Sequence, residues 1–239
     1  MTDRVACSQC GVLILTTTAT RTGGICMPCK LGTRKSVDAS RQRSLDRQAT
    51  LERLAADPRL RPWLPSARRS EVKPVQLQPV KPSTLTFVPF EGPVPFRFEM
   101  TPSQVEFLAG AVPRRDLSWN LEGLNDHFSN LRVGYTLDLS VEEFSVWPDA
   151  GVTVTFKGEV ILGAAATMDP LAAFWRADPD PREDVGFVIF RSLGVAVSGY
   201  HDNDPSQRAI SFGARGLWDE HFTKAKPIDL SGYGREQRA

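Results

Sequence analysis

The rhythm of apolar and polar positions changes twice along this chain. Residues 1–33 hold one short β-branched apolar run, Val12–Thr18, set between two pairs of cysteines. Residues 34–84 are polar, basic and poor in core-forming side chains. From Ser36 to Ala56 neither Gly nor Pro occurs and good helix formers dominate, which predicts a helix. Its apolar positions (Val37, Leu45, Ala49, Leu51, Leu54 and Ala55) make a thin stripe, so the helix is exposed or docks along one narrow side. Asp57-Pro58 stops it. Pro62, Pro65, Pro74, Pro79 and Pro82 then recur among Val, Gln and Lys, the pattern of an extended tether.

Beyond residue 84 the pattern becomes short apolar runs separated by turn residues. Leu85–Phe98 is aromatic and β-prone but broken by Pro89, Pro93 and Pro95, which predicts an edge strand or a packed arm. Thr101-Pro102 opens a short helix over Ser103–Ala111. Val133–Leu139 alternates as a strand. Gly151–Phe156 and Glu159–Leu162 flank Lys157-Gly158 as a hairpin. Asp169-Pro170 starts a helix that runs to Arg176. Asp178–Asp184 reads as an acidic, Pro-bearing loop. Phe187–Phe190, Val195–Ser198 and Ala209–Phe212 read as strands, His201–Ser206 as a polar turn, and Trp218–Phe222 closes the folded part. Short strands with a few short helices predict an α+β domain built on an antiparallel sheet. The segments are therefore 1–33, a small metal module; 34–84, a basic helix and Pro-rich linker; and 85–235, the main domain. Gly234–Ala239 is a frayed tail.

Charge sharpens this division. The 239 residues carry a net charge of +1, but residues 1–74 hold 14 Lys and Arg against 6 Asp and Glu, while residues 75–239 hold 15 against 22. Opposite fields on the two parts suit different partners. Apolar residues are 41% and charged residues 24% of the chain, as in ordinary globular proteins. No apolar run approaches the ~20 residues that cross a bilayer, and no secretory leader is evident, so a cytoplasmic protein without membrane contact is expected.

The cysteines carry the most specific chemistry. Cys7, Cys10, Cys26 and Cys29 form C-x2-C-x15-C-x2-C, a spacing that suits one zinc ion. Each C-x2-C places two thiolates on one side of a tight knuckle, and two knuckles meeting across a hairpin complete a tetrahedron. Gly11 follows the first pair, where a knuckle favours positive φ, and Gly23-Gly24 turns the chain before the second. Two disulfides or four free thiols are the rival arrangements; disulfides are disfavoured without secretion, and free thiols at so regular a spacing would be a coincidence. Four thiolates close the site, which makes the zinc structural, and a module this small draws its folding energy from the metal. Zn2+ with four thiolates carries −2, which lowers the basic excess of the N-terminal part.

The string Cys7-Ser8-Gln9-Cys10-Gly11, with Thr18 to Lys30 around the second pair, resembles a short N-terminal zinc ribbon found on assorted bacterial proteins, some of them immunity or toxin-associated. Over residues 150–218, Val152–Gly158, the helix at Asp169–Arg176, Leu193–Val197 and Ile210–Phe212 are similar in order to small α+β bacterial immunity-protein domains. These resemblances imply a protein that occludes a partner, possessing no catalytic residue.

Nothing in the sequence supplies an enzyme's motif. His127, His201 and His221 are scattered, and no nucleophile elbow, phosphate loop or dinucleotide fingerprint occurs. His201-Asp202-Asn203-Asp204 lacks the ligand alternation of a calcium loop and reads as a turn ended by Pro205. Trp119, Trp147, Trp175 and Trp218 read as core. The expected function is therefore a non-enzymatic protein binder, with a toxin as one possible partner. Its acidic residues Asp178, Asp180, Glu183, Asp184, Asp202 and Asp204 would meet a basic surface. The alternative is nucleic-acid binding through Lys30, Arg34, Lys35, Arg41, Arg43 and Arg47, a salt-dependent phosphate contact that lacks interleaved aromatics.

Overall fold

The computed structural model describes residues 4–8, 13–16, 19–20, 23, 29, 34–64, 77–118, 122–148 and 151–230. Helices and sheets occur together, as the α+β reading expects. The chain divides into two compact units, Met1–Asp57 and Pro58–Ala239.

In the first unit, strands β1 (Arg4–Ala6) and β2 (Leu13–Leu15) pair antiparallel, with Ala6 opposite Leu13. Cys7 directly follows β1. The helix expected from Ser36 forms as α1 (Arg34–Ala55).

The second unit is two sheets. The smaller contains β3 (Thr84–Val88), β4 (Gly92–Val94), β9 (Thr153–Phe156) and β10 (Glu159–Leu162) in the order β10-β9-β3-β4. The larger contains β5 (Arg114–Leu117), β6 (Gly123–His127), β7 (Arg132–Thr136), β8 (Val141–Val146), β11 (Arg182–Asp184), β12 (Phe187–Phe190), β13 (Val195–Ser198), β14 (Ala209–Gly213) and β15 (Lys226–Pro227). Its order is β15-β11-β12-β13-β14-β8-β7-β6-β5, antiparallel throughout.

The two sheets meet through phenylalanines. Phe87 of β3 stacks on Phe212 of β14 with centroids 4.4 Å apart. Phe174, from helix α3 (Pro170–Ala177), wedges against Phe87, Phe156 and Phe190. Along one row of the large sheet Phe190, Val195, Phe212, Phe144 and Val133 face this core. The row continues into a charged pair, Asp126 of β6 and Arg115 of β5.

Several expectations change. Leu85–Phe98 divides: β3 is central and runs parallel to β9, whereas β4, which holds Pro93, is the expected edge strand, where a missing N–H is tolerated. Residues 77–83, read as linker, pack into the second unit. Val80 is buried, its N–H donates to Asn130 Oδ1 at 2.9 Å, and Lys81 N–H donates to Ala109 O. The short helix α2 (Pro102–Ala109) ends two residues earlier than expected, because Gly110 takes the left-handed conformation at its C-cap. The acidic loop forms a strand at Arg182–Asp184. Trp147, Trp175 and Trp218 are half-buried rather than core, since phenylalanines fill the space between the sheets; Trp119 lies outside the described residues.

Asp184 pairs with Phe187, so Val185-Gly186 is a two-residue hairpin loop, with φ of +48° and +82°. Such turns favour Asn-Gly, and a β-branched residue is strained at positive φ. Val185 is also 88% exposed. Val185→Asn is expected to stabilise the second unit by about 1 kcal/mol, visible as a higher midpoint in denaturant unfolding.

Candidate functional site

The face of the large sheet turned away from the smaller sheet carries two adjacent rows. One runs Ile189, Ala196, Ser211, Ser145, Arg132; the other runs Gly213, Glu143, Gly134, Asn125. Helix α4 (Asp219–Lys224) covers one end, where Phe222 and Trp218 pack on Ile189 and Ala196. The uncovered remainder is a groove of about 320 Å³.

Gly213 allows Trp218 to lie close over the strand. A Cβ there would stand 2.5 Å from the indole Nε1, which has no hydrogen-bond partner in the described structure. The Phe187 ring lies 6.4 Å from that of Trp218, and these rings wall one side of the groove.

The other side is acidic, and a β-bulge makes it so. Gly134 pairs with Glu143 and Tyr135 with Val141, leaving Glu142 as an extra residue on β8. In a regular strand Glu142 and Glu143 would point to opposite faces; the bulge turns both carboxylates into the groove. Glu143 is satisfied. Arg132 donates to it at 2.6 Å, and the Ser145 hydroxyl donates to it at 2.9 Å. Ser145 in turn accepts from Arg132 at 3.0 Å and lies 2.9 Å from the Ser211 hydroxyl. Glu142 is different. Its carbonyl accepts from Ala214 N–H at 2.8 Å, but among the described residues its carboxylate has neither hydrogen bond nor ion pair. Burial, followed by repulsion from Glu143 and Glu122, holds its carboxyl above the ordinary carboxylate range.

A group that binds its proton more tightly in the folded state stabilises the fold below its unfolded pKa, and that contribution is lost as pH rises through the folded one. Ionised Glu142 therefore strains the native state at neutral pH. Glu142→Gln is expected to raise the melting temperature at pH 7. The difference should vanish below the ordinary glutamate pKa, ~4.3. Thermal melts of both proteins across pH 4–8 read this directly.

The acidic residues expected from the sequence are divided. Asp184 lines the groove and pairs with His221 at 2.8 Å. Glu183, on the opposite face of β11, lies 3.8 Å from His201. Asp178 is buried and fastens the loop after α3, accepting from Ser192 N–H at 2.9 Å. It and Asp180 line a separate cleft of about 630 Å³, with Arg191, Arg215 and Asp219. Asp202 accepts the Asp204 N–H at 3.3 Å. Asp204 caps the 3-10 turn Pro205–Gln207, accepting from Ser206 N–H and Oγ and from Gln207 Nε2. Bonds from the Ser206 hydroxyl and N–H hold its carboxyl below the ordinary range. His127 lies 3.3 Å from Asp116, so each histidine has its own carboxylate neighbour.

In the first unit Cys7 is buried and Cys29 half-buried; Cys10, Cys26 and Lys30 lie outside the described residues. The chemistry of a four-thiol donor set suits a tetrahedral zinc site. Arg34, Lys35, Arg41, Arg43 and Arg47 all fall on α1.

Sequence reasoning missed Glu142, Glu143 and Arg132. A signal was present in Val141-Glu142-Glu143-Phe144, where the apolar spacing lengthens from two to three, the mark of a bulge. No family model matches the chain, and no curated protein or solved structure matches it. Among the described residues, no helix is long and apolar enough to cross a membrane.

Proposed function

We propose that this is a non-enzymatic, zinc-containing binding protein of the immunity or antitoxin type, which occludes a basic protein partner. The observation that carries the reading is the groove on the large sheet. It has an aromatic wall and a half-buried glutamate whose carboxylate has no counter-ion among the described residues, the features of a surface that gains from a cationic partner. The negative balance of residues 75–239 adds long-range steering toward the same class of partner. The four-cysteine spacing and the β1–β2 hairpin support one structural zinc ion in the first unit.

The test is affinity capture of the tagged full-length protein, split with and without nuclease. A single basic protein that survives nuclease, and whose capture falls with rising salt, is the expected result. Loss of every partner on nuclease treatment would move the function to nucleic acid and the basic positions of α1.

A further inference from the structure

The groove is small for a whole element of a partner, but about 320 Å³ accommodates one long side chain. Its walls differ in kind. Phe187, Leu217 and Trp218 present apolar and aromatic surface, whereas Glu142 presents a carboxylate without a partner among the described residues. A side chain that fits both has an apolar stem and a cationic head. The floor favours close approach, because Gly134 has no Cβ; one placed there would press on Glu143 Cβ at 3.3 Å. The protein already shows the preferred head group beside this site, where the Arg132 guanidinium spans Glu143 and Ser145.

We propose that the groove receives a single arginine side chain of the protein partner, with its guanidinium on Glu142 and its stem along Trp218. This rests on the proposed binding function and narrows it to one recognition event. Arginine suits the site better than lysine. Its planar fork meets a carboxylate with two parallel hydrogen bonds, and its weaker hydration lets it lie against an indole face. The bulge is the device that creates the pocket. Without the extra residue in β8, Glu142 and Glu143 would point to opposite faces, and only one of them would reach the groove.

The test needs no knowledge of the partner. Full-length, 15N-labelled protein is titrated with N-acetyl-arginine amide, and in parallel with the lysine and citrulline analogues. The expected result is a saturable shift of the Trp218 indole N–H and of the Gly134 and Gly213 amides with arginine. Lysine should bind several-fold more weakly, and citrulline, which is isosteric but uncharged, should give none. Glu142→Gln should weaken arginine binding at least tenfold. It should also melt at a higher temperature than wild type at pH 7, so weakened binding would not reflect unfolding. Absence of a saturable shift at these three groups would overturn the proposal, as would equal binding of lysine or citrulline, or an unchanged affinity in Glu142→Gln. A nuclease-resistant protein partner combined with a silent groove would sink the arginine assignment alone. A responsive groove with no captured protein would sink the occlusion reading instead.

Discussion

Replacing Arg115 with alanine is expected to destabilise the second unit by about 3–5 kcal/mol, on the order of 10 °C in melting temperature. Asp126 is fully buried on the core side of β6, where its row-mates are Val133 and Phe144. Arg115 reaches it through Nε and a terminal nitrogen, each 2.5 Å from a carboxylate oxygen. The same terminal nitrogen donates to Glu106 at 2.9 Å, and the guanidinium lies 4.9 Å over the Trp63 ring. The Tyr135 hydroxyl donates to Asp126 at 2.9 Å. Burial opposes the charge on Arg115, but hydrogen bonding and attraction to Asp126, with help from Glu106, hold its pKa above the ordinary value. Burial, then the Asp126 charge, push the Tyr135 phenol well upward. Removing the arginine leaves a desolvated carboxylate with one neutral donor. Removing the whole network should do far less harm: Arg115→Met with Asp126→Leu and Tyr135→Phe leaves no buried polar orphan and should recover most of the loss. Thermal melts of the single and triple variants decide this. A single variant within 1 °C of wild type would mean that water already solvates Asp126.

The second large effect concerns the first unit. The proposed zinc site predicts one zinc ion per purified chain, released by a mercurial that titrates thiolates. It also predicts loss of that zinc in Cys7→Ser or Cys26→Ser. Apparent binding energies of structural zinc in small modules are about 10–16 kcal/mol near neutral pH, far more than a pair of three-residue strands supplies for itself. Chelation should therefore abolish the amide protection of β1 and β2. Zinc content near zero, with the four thiols oxidised in pairs, would establish disulfides in its place.

How legible the molecule was depends on what each strand buries. Phe187–Phe190 and Val195–Ser198 were found at their true bounds because β13 is buried on both faces and β12 nearly so, which leaves uninterrupted apolar runs. The Lys157-Gly158 hairpin was legible from its turn chemistry, and the helix at Asp169-Pro170 from its cap, which accepts the Leu171 N–H at 2.8 Å. β6 was not legible. Gly123-Leu124-Asn125-Asp126-His127 looks like loop, because one of its two core positions, beside Leu124, is an aspartate whose partner, Arg115, lies on another strand. β5 is hidden for the matching reason. The groove escaped notice because it is made by register: a bulge aims Glu142, and Gly213 admits Trp218 from further along the chain. Acidic residues that stood out as a run, Asp178 to Asp184, serve mainly local ends, fastening a loop at Asp178 and pairing His221 at Asp184. The four cysteines are the opposite case, since a ligand spacing is itself local.

The large sheet is wide enough to raise the question of how it stops. At one margin lies β15, two residues long, Lys226 and Pro227, both exposed. An incoming strand would find there a charged side chain and a residue that has no N–H to offer. Growth by edge-to-edge pairing is thereby disfavoured at that margin by the strand's own residues. At high concentration, self-association through this side of the sheet should be no greater than for a closed barrel. A Pro227→Val substitution, harmless to the native ladder, would open a route to fibrils.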